Sequence, residues 1–289
     1  MVLLEVFNVK KAYNNKIYFA LYVAILMIVS ALLLKYLFLY IYGGDVTHNY
    51  FLLLVWVGIF MAIIPKLFIE AEEVCPINWH PIQKKWVEGC TFIERHKDIL
   101  FIFVILSILI TIFFFTICYF NVFGSNFGAP QKQEIEKIKE IATSLSGYAK
   151  SDIGGGFWDK FSIIFAQNTK ISILFFLLSV LEMFGALFLL SWNASVFGVW
   201  LSEIAKQASQ QTNNIILILS TSATSFLGIL PHAIFEFSGF FLAAIAGGIL
   251  AIGIHLYKDN ALLLQIKDSI LVLLAGLVCI LIGAIIEAL

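Results

Sequence analysis

Between Ile99 and Phe120 the chain carries no charged side chain. About 20 such residues are what an α-helix needs to cross the hydrocarbon core of a bilayer, and the run is one of several. Ile17 to Tyr42 carries a single charge, Lys35, whose long stem can reach toward an interface. Tyr50 to Ile69 follows, then Ile171 to Trp192, Ile215 to Leu230, His232 to Tyr257 and Ser269 to Ile286. Inside lipid each backbone N–H and C=O must find its partner within the spanning structure, which favours helices. The runs therefore predict an all-α, polytopic helical membrane protein with about seven transmembrane helices, six to eight depending on Ala194 to Leu201. That short apolar piece either continues the preceding helix or re-enters the membrane.

Composition excludes the soluble alternative. Of 289 residues, 61% are hydrophobic and 13% charged, where soluble domains have about 45–50% and 25%. A net charge of −1 offers no basic field for nucleic acid. The first apolar run is too long for a cleaved leader and reads as an anchor. With the N-terminus in the cytoplasm, eleven basic residues between Lys10 and Lys267 lie on that side, against six between Lys132 and Lys170 on the other. That asymmetry places the N-terminus inside and, with seven spans, the C-terminus outside. A multi-pass protein of the cell membrane is expected.

The runs divide the chain into three parts. Residues 1–120 form an N-terminal three-helix segment with a mixed-charge cytoplasmic loop, 70–98. Residues 121–160 form an extracytoplasmic loop, and 161–289 a membrane core. Within the loop, Ile135, Ile138, Ile141, Ala142 and Leu145 recur at helical spacing, predicting an amphipathic helix over 131–149 that lies on the membrane, caps the bundle or docks a partner. Phe157-Trp158, after three glycines, reads as an interfacial anchor. Cys75, His80, Cys90 and His96 share the 70–98 loop, but their spacing fits no common structural zinc site. No metal, cofactor or catalytic residue is expected.

The informative residues are the polar ones inside apolar runs, because a charge at mid-depth costs about 2.5–3.5 kcal/mol on insertion scales. Glu182 falls in the middle of the 171–192 run, and Asn193 follows eleven residues later on the same helical face. In Pro231-His232-Ala233-Ile234-Phe235-Glu236 the proline suits the first turn of a helix. His232 and Glu236 would then stack at i and i+4, within hydrogen-bonding reach. Their face continues through Gly239, Ala243 and Gly247, and the last run repeats the device with Ala275, Cys279 and Gly283. Small residues at this spacing let helices approach closely, within one chain or between two copies. Three uses fit these groups: a buried polar bracket joining helices, an ion or proton path, or a metal site lacking its third ligand.

Ile164-Phe165-Ala166-Gln167-Asn168-Thr169-Lys170, followed by Leu190-Ser191-Trp192-Asn193-Ala194-Ser195-Val196-Phe197-Gly198, resembles the stage II sporulation protein M family. Pro231 to Glu236 and Ala243-Ala244-Ile245-Ala246-Gly247-Gly248 resemble its second signature, in the same order, across 161–257. Ala233 stands where glycine is usual. Glu72-Glu73 and Glu94-Arg95-His96-Lys97 resemble archaeal members. The resemblance implies a polytopic membrane protein that anchors envelope-remodelling partners and is not itself a hydrolase. A non-enzymatic scaffold is therefore expected, with the lipid bilayer and other membrane or envelope proteins as partners and a homo-oligomer allowed. The alternative is a transporter or channel for an ion, lipid or small solute that uses Glu182, His232 and Glu236.

Overall fold

The computed structural model describes residues 92–124, 126–137, 156–181, 185–211 and 214–289, together with 25, 28–30, 33, 56, 77–80 and 85–88. Two short strands, β1 (Ile77–His80) and β2 (Lys85–Glu88), pair antiparallel with Trp79 opposite Trp86. This hairpin lies within the 70–98 loop, where no regular structure was expected. The helices follow: α1 (Phe92–Tyr119), α2 (described over 129–137), α3 (Phe157–Leu181), α4 (Gly185–Gln211), α5 (Ile215–Leu256) and α6 (Asp259–Ala288). Among the described residues, five helices are long and apolar enough to cross a membrane. The expected spans at 17–42 and 50–69 lie outside the described residues, apart from helical positions at 25, 28–30, 33 and 56. Trp56 ties those positions to the bundle. The Trp56 indole donates to Ser30 Oγ at 2.9 Å and sets its ring edge-on against Phe113 and Phe114 of α1.

Two expected boundaries are corrected. The run from Ile171 to Trp192 is not one helix, because α3 ends at Leu181 and α4 begins at Gly185. The residues on either side of Glu182 are apolar, so hydropathy joined the two helices into one run. Residues 194–201 lie in the middle of α4 and neither re-enter nor span separately. Conversely, the runs on either side of Pro231 belong to one 42-residue helix, α5. Proline lacks the N–H that would bond to Leu227 and crowds that carbonyl, yet membrane helices tolerate this where neighbours compensate. Phe197 of α4 packs on both Phe226 and Phe237, rings on either side of the proline. The two corrections offset one another, leaving four long apolar helices after α1 among the described residues.

Helix α5 is the centre of the bundle, packed most extensively on α6, then on α3, then on α4. Its start is capped by Asn214, whose side chain accepts from the Ile216 N–H at 2.9 Å. Matched contacts give the directions. Asn168, Phe175 and Ser179 of α3 meet Glu236, Phe240 and Ala244 in ascending order, so α3 and α5 run parallel. Gly239 and Ala246 meet Gly276 and Ser269 in descending order, so α5 and α6 are antiparallel. α1 and α4 run side by side and parallel, with Thr111 donating to the Ala194 carbonyl and Gly198 seated against Phe114.

Beyond α1 the chain folds back into the bundle. Asn121 has φ 52° and Gly124 φ 91°, left-handed conformations suited to the reversal. Phe127 then stacks on Phe114 with ring centres 5.6 Å apart. Gly128 fits between Cys118 and Val199. From α2, Gln131, fully buried, donates to Ser195 Oγ of α4 at 3.1 Å. Lys132 pairs with Glu203 at 3.1 Å, and Lys206 donates to Asn121 Oδ1 at 3.0 Å. The described part of the expected amphipathic helix is thus held between α1 and α4, with Ile135 buried.

Candidate functional site

The bundle-facing stripe of α3 runs through Phe161, Phe165, Asn168, Ser172, Phe175 and Ser179, at spacings of three and four residues. Its first turns are aromatic, with Phe157, Phe161 and Phe165 stacked in series. Below the rings, Asn168 Nδ2 donates to Glu236 Oε1 of α5 at 2.6 Å. Two turns deeper, Phe175 and Phe240 stack with parallel rings 5.3 Å apart. One turn further along α3, the buried Ser179 hydroxyl donates to the Ala244 carbonyl at 2.6 Å.

On the other side of α5, helix α6 comes close because both surfaces are small. A Cβ on Gly283 would stand 2.9 Å from Glu236 Cγ and 3.3 Å from the His232 carbonyl oxygen. One turn further along α6, Glu287 stands beside the Glu236 carboxyl. Ser269 of α6 donates to the Ala246 carbonyl at 2.8 Å. Three helices thus converge on Glu236: α3 through an amide, α5 through the residue itself and α6 through a second carboxyl. On the same stretch of α3, the Thr169 and Ser172 hydroxyls are buried with no hydrogen-bond partner among the described residues, and Ser172 has no exposed surface.

The expected residues are distributed differently from the pattern that spacing suggested. His232 and Glu236 do stand one turn apart on α5, but no hydrogen bond joins them; Glu236 turns to Asn168 and Glu287 instead. Asn193 donates to the Leu189 carbonyl of its own helix at 2.8 Å and does not reach the Glu236 contact. Glu182 lies outside the described residues. The small residues of α5 serve two neighbours. Gly239 abuts Gly276 and Ile280 of α6, Ala243 follows beside Gly276, and Gly247 is pressed against Phe176 and Ser179 of α3. Ala275 is exposed, and Gly276 makes the packing contact. The reason is angular. Gly276 and Gly283 are seven residues apart, almost two whole turns, whereas Ala275 lies about 80° around the helix from Gly283.

Sequence reasoning passed over Glu287, Gly276, Gln131 and Ser179, and met Asn168 only as part of a motif. A signal for Glu287 existed: it follows Gly283 by one turn, but the last apolar run was closed at Ile286. Among the described residues no group of three or more His, Cys, Asp or Glu side chains could hold a metal ion. What the arrangement provides chemically is an amide donor and two carboxyls at a three-helix contact.

No curated protein and no solved structure matches the chain. The description of Stage II sporulation protein M matches residues 99–289, from the first turns of α1 to the last residue, and therefore takes in every helix that meets at Glu236. The chain belongs to the stage II sporulation protein M family.

Proposed function

We propose that this protein is a non-enzymatic scaffold of the cell membrane, with its N-terminus in the cytoplasm, that assembles envelope or membrane-remodelling partners. The observation that carries the reading is how the intramembrane polar groups are used. The Asn168–Glu236, Ser179–Ala244, Ser269–Ala246, Thr111–Ala194 and Gln131–Ser195 bonds all join one helix to another. Glycines at the same crossings leave no room for even a methyl group without movement. A bundle fastened in this way suits a rigid platform. Its partner-facing surfaces are the 70–98 loop with its hairpin on one side and the 131–149 segment on the other.

A transporter or channel is the competing reading, and one experiment separates them. Tagged full-length protein is taken from native membranes in mild detergent, and what it retains is quantified by mass spectrometry. The same preparation is then reconstituted in liposomes and assayed for ion flux. A stoichiometric protein partner whose retention is lost when the 70–98 loop is replaced, with silent liposomes, supports the scaffold. A solitary protein that carries ions, and loses flux on Glu236→Gln, overturns it.

A further inference from the structure

Helix α3 has two faces of opposite chemistry, and one residue does not match the face it stands on. The stripe that carries Asn168 and Ser179 turns to the bundle. On the other side Ile163, Ala166, Lys170, Ile173, Leu177 and Leu181 are exposed. At about 100° per residue these positions form a single stripe, and Lys170 lies near its centre. Every other member named is apolar.

The sequence places Lys170 at the edge of a loop, just before the apolar run that starts at Ile171. The structure differs: α3 begins at Phe157, so Lys170 is the fourteenth of its 25 residues. It lies ten residues after Lys160, in the charged first turns, and eleven before Leu181. Those spacings rise about 15 and 17 Å, which sets Lys170 near the middle of roughly 30 Å of hydrocarbon. Its four-carbon stem covers less than half of either distance. An ammonium at that depth is costly unless it is paired. Among the described residues, the lysines in ion pairs are Lys132, Lys137 and Lys206, and no carboxylate engages Lys170. The apolar runs Ile17 to Tyr42 and Tyr50 to Ile69 contain no Asp or Glu that could supply one. A second copy set against this face by a two-fold axis would bring Lys170 against Lys170, and like charges oppose such a contact.

We infer that the exposed face of α3 docks a spanning helix of a different membrane protein, one that carries an aspartate or glutamate at mid-depth, and that Lys170 forms the ion pair across the contact. Charge complementarity selects this occupant. A helix without an acid leaves the ammonium unpaired in lipid, whereas one with an acid relieves two costly charges at once. The apolar residues around Lys170 supply the packing, and the small Ala166, one turn earlier, lets the second helix come close. The inference rests on the scaffold reading and adds to it the chemistry of a partner inside the membrane.

The test places a photo-crosslinking amino acid at the exposed Ile173 of the full-length chain in native membranes and sequences the adducts. The expected adduct is a spanning segment of another protein with an Asp or Glu near its middle. Lys170→Glu should cut that adduct by roughly tenfold or more, as like charges then meet, and exchanging the partner's acid for lysine should restore it. Lys170→Leu should move two readouts apart: the isolated protein melts at the same temperature or higher, while the adduct falls. Adducts confined to lipid, to a second copy or to segments without an acid would overturn the inference. So would a yield that Lys170→Glu leaves unchanged, or exchanged charges that fail to restore it. The mild-detergent pull-down keeps the two readings apart. A partner retained there while Ile173 yields only lipid adducts sinks this inference and leaves the scaffold standing; no protein partner in either assay removes both.

Discussion

Gly239 of α5 and Gly276 of α6 face each other reciprocally: a Cβ on the first would stand 2.8 Å from the carbonyl oxygen of the second, and a Cβ on the second 2.9 Å from that of the first. Because the obstructing atoms are backbone, no rotamer change relieves the clash, and the helices themselves must move apart. Gly276→Leu should therefore lower thermal stability in detergent by about 1–3 kcal/mol, the range for overpacking a tight core. Ala275→Leu, one residue away on the exposed face, should be nearly silent. Parallel melts of the two variants check the contrast.

Asn168 and Glu236 should prove energetically coupled. Asn168→Ala removes the donor to a half-buried carboxyl and is expected to cost about 1–3 kcal/mol, as for an acceptor left unsatisfied. His232→Ala should cost much less, since its ring makes no bond to Glu236. A double-mutant cycle over Asn168→Ala and Glu236→Gln, read by thermal or chemical unfolding, should return a coupling energy. The corresponding cycle with His232 should return almost none.

The serine contacts are individually modest. Ser179→Ala and Ser269→Ala each remove one hydroxyl-to-carbonyl bond between helices, and such bonds in membrane bundles average about 0.6 kcal/mol. The two bonds lie on opposite sides of α5, so their effects should add. Melting of both single variants and the double variant tests this.

Gln131 holds α2 to α4 more firmly than the surface charges do. Gln131→Leu takes away a buried donor to Ser195 and should loosen α2 enough to raise protease or hydrogen-exchange accessibility of 126–137. Lys132→Ala breaks an ion pair that is one-third exposed and should change little, since such pairs contribute about 0–1 kcal/mol. The readout is hydrogen exchange by mass spectrometry.

Much of the architecture is legible in the sequence because one term dominates it. Runs such as Ile99 to Phe120 can only be helical in lipid, and no soluble alternative survives the composition. Helix ends are another matter. Hydropathy does not separate α3 from α4, because a single acid, Glu182, between two apolar runs leaves the average high. Pro231 suggests a helix start wherever context is ignored, although α5 runs through it. At the site, small-residue spacing identified Gly239, Gly247 and Gly283 as close-approach positions, but spacing along one helix cannot say which neighbour fills each gap. Partner choice also escaped it. The i,i+4 relation allows His232 to meet Glu236, and only the three-dimensional placement of α3 and α6 shows Asn168 and Glu287 there instead.

The length of α5 has a consequence for how this protein registers its surroundings. Forty-two residues rise about 63 Å, twice the roughly 30 Å of a bilayer's hydrocarbon. No single membrane thickness is therefore written into that helix, and different stretches of it can occupy the lipid. What fixes the height of Glu236 is its neighbours: Asn168 on α3 and Gly283 near the end of α6, helices of 25 and 30 residues that rise about 38 and 45 Å and so lie nearer to one crossing. The long helix is the ruler's blank edge, and the shorter ones carry the graduations.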